Sequence, residues 1–166
     1  MNYSMGKTPP RKEGEYWNNA QHPWVSIADM IANGIIIKTK ECVNQYSADS
    51  IFKGKISPAG TLLMSFKLTV GRVSLLGINS FHNEAIISIF PFADIDDILK
   101  MYLFTFLPLI SQSGDTKSAI KGNTLNSDSI DALLIPIPPL AEQHRIVEKY
   151  KKLLPLIKEY NIHKIT

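Results

Sequence analysis

Apolar and polar positions change period several times along this chain, and each change marks a boundary between elements. Met1 to Asn19 has no apolar period and is rich in Gly, Pro, Lys, Arg, Glu and Asn, which predicts a loop or extended arm anchored by Tyr16 and Trp17. Pro23-Trp24-Val25-Ser26-Ile27 predicts a short strand. Ser26 and Asp29 then have the spacing of a capping box, opening a short helix that Asn33-Gly34 closes. From Gly34 to Pro58 the pattern blurs after Ile35 to Ile37, and Lys38, Lys40, Lys53 and Lys55 stand among Thr, Asn, Gln and Ser, the composition of a surface.

Thr61 to Phe66 and Gly71 to Leu76 are short apolar runs separated by a few residues, as in two buried strands joined by a tight connection, and Glu84 to Phe90, stopped by Pro91, predicts a third. At Asp94 the period becomes helical. Ile95, Ile98, Leu99, Tyr102, Leu103 and Phe106 recur on one face, with Asp94 as N-cap, Asp96 placed to pair with Lys100, and Pro108 as the stop. Ser111 to Ser129 is a long polar connection, and connections of that length in a compact domain are usually functional or disordered. Ile130 to Ile137 regains strand character before Pro138-Pro139. From Leu140 a helix follows in which Ile146, Tyr150, Leu153, Ile157 and Tyr160 step by four, three, four and three, the spacing of a coiled-coil seam. The same spacing suits a terminal helix docked on its own core, and Pro155 predicts a bend near Lys151 or an end at Leu154.

These elements amount to a mixed α+β domain over residues 1–139 and a helix over 140–166. A chain of 166 residues has room for one apolar core, and 45% hydrophobic with 20% charged residues is ordinary for a globular protein. The net charge of +3 permits a nucleic-acid partner without demanding one. Cys42 is the single cysteine, so the chain forms no internal disulfide or cysteine-rich zinc cluster, which fits a reducing cytoplasm. The longest apolar region, Ile98 to Ile110, is broken by Lys100, Thr105 and Pro108, so neither export nor a membrane span is expected.

The run Ile135-Pro136-Ile137-Pro138-Pro139-Leu140-Ala141-Glu142-Gln143-His144-Arg145-Ile146-Val147 closely resembles the signature with which Type I restriction–modification specificity subunits pass from a target-recognition domain into a long helix. Gly6-Lys7-Thr8-Pro9, Glu15-Tyr16-Trp17, Pro23 to Met30, Gly60 to Val73 and Asn83 to Ile86 resemble further parts of that family, in its order. The resemblance implies a non-catalytic domain that reads one half of a split site in double-stranded DNA. It also implies a helix that pairs with the helix of a second recognition domain or a second copy, fixing the spacing of the half-sites. Modification (methyltransferase) subunits and, through them, restriction subunits would supply S-adenosylmethionine and ATP chemistry, leaving this chain without a cofactor. One domain and one long helix, where the family usually has two of each, imply a half-length subunit or a fragment.

Recognition of DNA requires cations for phosphates and polar side chains for base edges. The loop groups that qualify are Lys7, Thr8 and Arg11; Lys38 and Lys40; Lys67, Thr69 and Arg72; and Lys117 and Lys121. Each lysine alone reads equally as a solvated charge, and Arg72 as half of a structural salt bridge. Asn44, Gln45, Gln112 and Asn123 suit adenine but are also ordinary loop residues. Ile146, Tyr150, Leu153 and Ile157 are the expected dimer seam. Catalytic patterns are missing: Pro138-Pro139 lies between Ile137 and Leu140 rather than in an adenine-methyltransferase motif, and neither a glycine-rich cofactor loop nor a phosphate-binding loop occurs. Asp94, Asp96, Asp97 and Lys100 fall on the capping and solvent face of a helix, while His22, His82, His144 and His163 lack zinc spacing.

Overall fold

The two strands expected at Thr61–Phe66 and Gly71–Leu76 form the middle of the larger of two sheets. A computed structural model describes residues 1–113 and 130–163, with side chains at 1–111 and 130–156. In chain order its strands are β1 (Asn2–Met5), β2 (His22–Val25), β3 (Gly34–Ile36), β4 (Glu41–Val43), β5 (Leu62–Ser65), β6 (Val73–Leu76), β7 (Phe81–His82) and β8 (Ile86–Phe90), and its α-helices are α1 (Gln45–Ser50), α2 (Ile98–Ser113) and α3 (Leu140–His163). The larger sheet runs β1-β8-β5-β6-β3 and the smaller β4-β2-β7. β5 pairs antiparallel with both neighbours, Leu63 facing Ser74 of β6 and Ser88 of β8.

Both faces of the larger sheet are covered, which is why its central strands read as unbroken apolar runs. One face packs Leu62, Met64, Val73, Ile87 and Ile89 against Tyr102, Leu103 and Leu107 of α2 and Val147 of α3. The other packs Leu63, Leu76, Ile86 and Ile36 against Val25 and Met30. A third cluster, Trp24, Val43, Ala48, Phe52 and Phe81, joins the smaller sheet to α1. The expected capping box is present: Ser26 N donates to Asp29 Oδ2 at 2.9 Å, opening a single 3-10 turn, Ile27–Asp29.

Several expectations are corrected. The opening arm begins as a strand, because β1 pairs with β8 through the main chain (Tyr3 with Ile89, Met5 with Ile87) while most of its side chains face solvent and show no apolar signal. The stretch from Gly34 to Pro58 is largely surface, as expected, but it is not without structure: it holds β3, β4 and α1, and buries Ile36, Val43, Ser47, Ala48, Phe52 and Ser57. α2 starts at Ile98 because Asp96 and Asp97 take φ of 50° and 62°, outside the right-handed helix. Asp94 still caps it from a distance, its Oδ1 accepting from Lys100 N at 3.2 Å, but Lys100 pairs with Asp97 at 2.7 Å and not with Asp96. Pro108 lies inside α2 rather than ending it, next to the fully buried Leu107, whose packing offsets the cost of a helical proline.

Ile130 to Ile137 forms no strand: Ile130–Asp131 is helical and 133–139 is irregular. Pro136, Pro138 and Pro139 have no N–H to give a sheet. The segment is held instead by Tyr102 Oη, which donates to Pro136 O at 2.6 Å, and by Gln143 Nε2, which donates to Pro138 O at 2.8 Å. α3 continues past Leu154 with Pro155 inside it. Its first turns dock on α2, Ile146 packs against the main core, and Tyr150 Oη accepts from Asn33 Nδ2 at 2.8 Å. Ile146 and Tyr150 therefore serve the intramolecular docking that their spacing also allowed, whereas Leu153 and Leu156 stay exposed. The side chain of Ile157 lies outside the described residues.

Candidate nucleic-acid interface

Lys7 is placed by the end of β1. Gly6 N donates to Ile86 O at 3.0 Å and Lys7 N to His82 O at 2.9 Å, so the chain leaves the larger sheet clamped against the β7–β8 connection. Lys7 Nζ reaches over to Ile51 O at 2.8 Å, at the end of α1. Just beyond, Lys53 (φ 53°) and Gly54 (φ 69°) turn the chain back in the left-handed region. The result is a hollow of about 260 Å³ lined by Lys7, Lys53, Lys55, Ser57 and His82, floored by Phe52 and Phe81 stacked 4.3 Å apart. No acidic side chain among the described residues lines it. Residues separated by more than forty positions thus converge as cations, and Lys53 and Lys55, read from the sequence only as surface, join Lys7 in a single concave site.

Thr8 and Arg11 are more engaged than loop residues awaiting a ligand. Thr8 Oγ1 donates to Glu84 Oε2. The Arg11 guanidinium lies 4.6 Å from the Trp17 ring and 4.5 Å from the Trp24 ring, and its Nη1 meets Glu41 Oε1 at 2.5 Å. That pair is about half exposed, so it contributes little to stability and leaves Arg11 able to trade Glu41 for a phosphate. Lys40 precedes Glu41, and its backbone N is fixed by Asp29 Oδ1 at 3.0 Å. Lys38 and Lys40 are exposed, without a side-chain partner among the described residues, but Lys38 follows β3 and lies at the end of the larger sheet away from the β5–β6 turn.

The third group occupies that turn. Ser65 N donates to Arg72 O at 2.9 Å, Gly71 N to Ser65 O at 2.9 Å and Arg72 N to Thr69 O at 3.1 Å, while the Ser65 hydroxyl donates to Thr69 O. Lys67 Nζ stands 5.5 Å from the Phe66 ring centre. Arg72 has no ion pair among the described residues. Phe66 N donates to Ala85 O at 3.0 Å, which brings this turn to the same end of the larger sheet as Lys7, Thr8 and Glu84. Lys117, Lys121 and Asn123 lie outside the described residues, as does the side chain of Gln112. Asn44 caps α1, its Oδ1 accepting from Ser47 N at 3.0 Å, and Gln45 bonds Asp49 and His22, so both have structural work.

His82, at the wall of the hollow, is buried, and its Nδ1 has no hydrogen-bond partner among the described residues. Burial pushes its pKa from 6.5 down to about 4, against the smaller pull of the Asn83 and Ile86 backbone. Above pH 6.5 the ring is neutral folded or unfolded; between 6.5 and about 4 the unfolded chain takes up a proton that the folded one does not. Stability therefore falls as pH is lowered through that window, by about 3 kcal/mol in all. His82→Gln is expected to flatten this slope in denaturant midpoints measured from pH 7 to pH 4. Among the described residues no cluster of metal-type ligands occurs, and no helix is long and apolar enough to cross a membrane.

The family model described as Type I restriction modification DNA specificity domain matches residues 1–165, and the chain belongs to that family. It is 26% identical over 142 residues to the specificity subunit of the Type I restriction enzyme EcoprrI from Escherichia coli, covering 83% of this chain and 34% of that subunit. Its fold is similar to a chain of a type I R-M system solved in work on complex assembly and conformational transition (TM-score 0.73, 19% identity, 99% of this chain and 38% of that one). It is also similar to the HsdS subunit from Thermoanaerobacter tengcongensis (TM-score 0.62, 19% identity, 95% and 36%). The chain thus spans little more than a third of each of these relatives.

Proposed function

We propose that this chain is a non-catalytic, sequence-specific DNA-recognition domain that reads one half of a bipartite site and directs the modification and restriction subunits of a Type I system to it. Beyond family membership, one observation carries the reading: Lys7, Lys53 and Lys55 converge on a hollow that no acid among the described residues lines, at the end of the sheet that also presents Lys67 and Arg72. Cations held close together without counter-charges favour a polyanion, and braced loops fix where its backbone lies. In this reading residues 1–139 read the DNA. The outer face of α3, with Leu153 and Leu156 exposed, meets a partner helix from a second copy or a second recognition domain. Chemistry on the DNA, with its S-adenosylmethionine and ATP, belongs to the partner subunits, and the setting is the cytoplasm.

Equilibrium binding to duplex DNA across a salt gradient tests this. Affinity is expected to fall linearly with salt on logarithmic axes, and Lys7→Gln, Lys53→Gln and Lys55→Gln together are expected to reduce the slope by roughly 2 to 3. No binding at low salt would favour a purely structural or inhibitory interaction protein, and an unchanged slope would remove the hollow from the interface.

A further inference from the structure

Among the described residues, the non-glycine positions with positive φ are Asn19, Asn33, Lys53, Leu68, Asp96 and Asp97. Five are polar, and most are Asn or Asp, whose short side chains suit the left-handed region. Leu68 is the apolar exception, with φ 64° and 71% of its surface exposed. Neither local preference nor burial accounts for a leucine there, since glycine would fit without strain and a polar residue would suit the solvent. The frame imposes the conformation: Thr69 N donates to Lys67 O at 2.7 Å directly across Leu68, and the Ser65, Thr69 and Arg72 bonds close the turn beneath it. Gly71, with φ 80°, sits so tightly on Ser111 and Pro108 of α2 that a Cβ there would lie 1.9 Å from Ser111 Oγ. The turn is thus braced against a helix, with an apolar tip between Lys67 and Arg72. Strain maintained by its surroundings at an exposed position is a mark of function.

We propose that Leu68 packs on the apolar surface of DNA bases at a groove floor while Lys67 and Arg72 hold the flanking phosphates. The inference rests on the DNA-recognition reading above. The apolar surface has two sources: a thymine C5-methyl in the major groove, or the face of a base at a step that the leucine pries apart.

The test compares the full chain with Leu68→Gly on a pool of randomised duplexes. Glycine is at ease at φ 64°, so the thermal midpoint is expected to stay or rise, while duplex affinity falls roughly tenfold, the scale of one lost base contact. A purely structural leucine would not separate the two readouts in that way. If the methyl is the contact, replacing thymine by uracil weakens wild type but not Leu68→Gly. If a step is opened, duplexes carrying 2-aminopurine brighten with wild type and not with the variant. Leu68→Gly binding the pool as tightly as wild type overturns the proposal, and so does a variant that keeps its DNA affinity but no longer captures the modification subunit, which would make Leu68 a protein contact. Failure of the underlying reading looks different: wild type itself then shows no salt-dependent duplex binding.

Discussion

Gly6→Ala is expected to cost about 3 kcal/mol or more, far above the effect of an ordinary surface substitution. A Cβ on Gly6 would lie 2.1 Å from both Asn83 O and His82 O and 2.4 Å from His82 Nδ1. The first two are backbone atoms, so no rotamer change relieves the clash. Either β1 lifts away from β8, losing the bonds from Gly6 N to Ile86 O and from Lys7 N to His82 O, or the β7–β8 connection shifts and takes Glu84 from Thr8. Gly54→Ala makes the contrast, since a Cβ there meets nothing within 4 Å and meets only the strain of φ 69°, a cost of roughly 1 to 2 kcal/mol. Denaturant unfolding of both variants, read as midpoint shifts at constant slope, separates a packing clash from conformational strain. Equal costs would contradict the clash, since Gly6, unlike Gly54, does not lie in the left-handed region.

Trp24→Ala is expected to be more damaging still, about 4 kcal/mol, in the usual range for a buried tryptophan truncated to alanine. Trp24 is fully buried, packs edge-on against Trp17 at 5.4 Å, and sits in one cluster with Val43, Ala48, Phe52 and Phe81. It also organises the site: its Nε1 donates to Lys7 O at 3.1 Å and its ring lies under Arg11. Removing it therefore takes away the floor on which Lys7 and Arg11 are arranged, and duplex affinity is expected to fall along with stability. Trp24→Phe keeps much of the buried area but cannot donate to Lys7 O. It is expected to recover much of the stability while leaving Lys7 less well positioned, which parallel unfolding and DNA titrations would show as a larger loss in affinity than in midpoint.

What could be read from the sequence follows from which interactions leave a local trace. β5, β6, β8 and α2 are legible because burial against α2 on one side and Val25 and Met30 on the other gives their residues an apolar period. β1 leaves none, because its contribution is main-chain pairing with β8. β3 and β4 are three residues each, too short for alternation to show. Ile135 and Ile137 look like strand residues, but Pro136 between them and Pro138-Pro139 after them leave no ladder. The seam of α3 had the correct spacing, yet spacing does not name the partner, and α2 with Asn33 takes Ile146 and Tyr150. At the site, single lysines are indistinguishable from solvated charges until the fold brings Lys7 beside Lys53 and Lys55. Arg11 and Asn44, conspicuous in the sequence, are largely committed to Glu41, the tryptophans and the α1 cap.

The central claim, that this chain reads DNA sequence, is tested most directly by selecting bound duplexes from a randomised pool and sequencing them. Enrichment of a short motif of a few base pairs is expected, occurring singly or as two copies at constant spacing where α3 joins two molecules. A selected pool no different in sequence from the starting one would contradict it, and would leave a domain that holds DNA or protein partners without choosing a site.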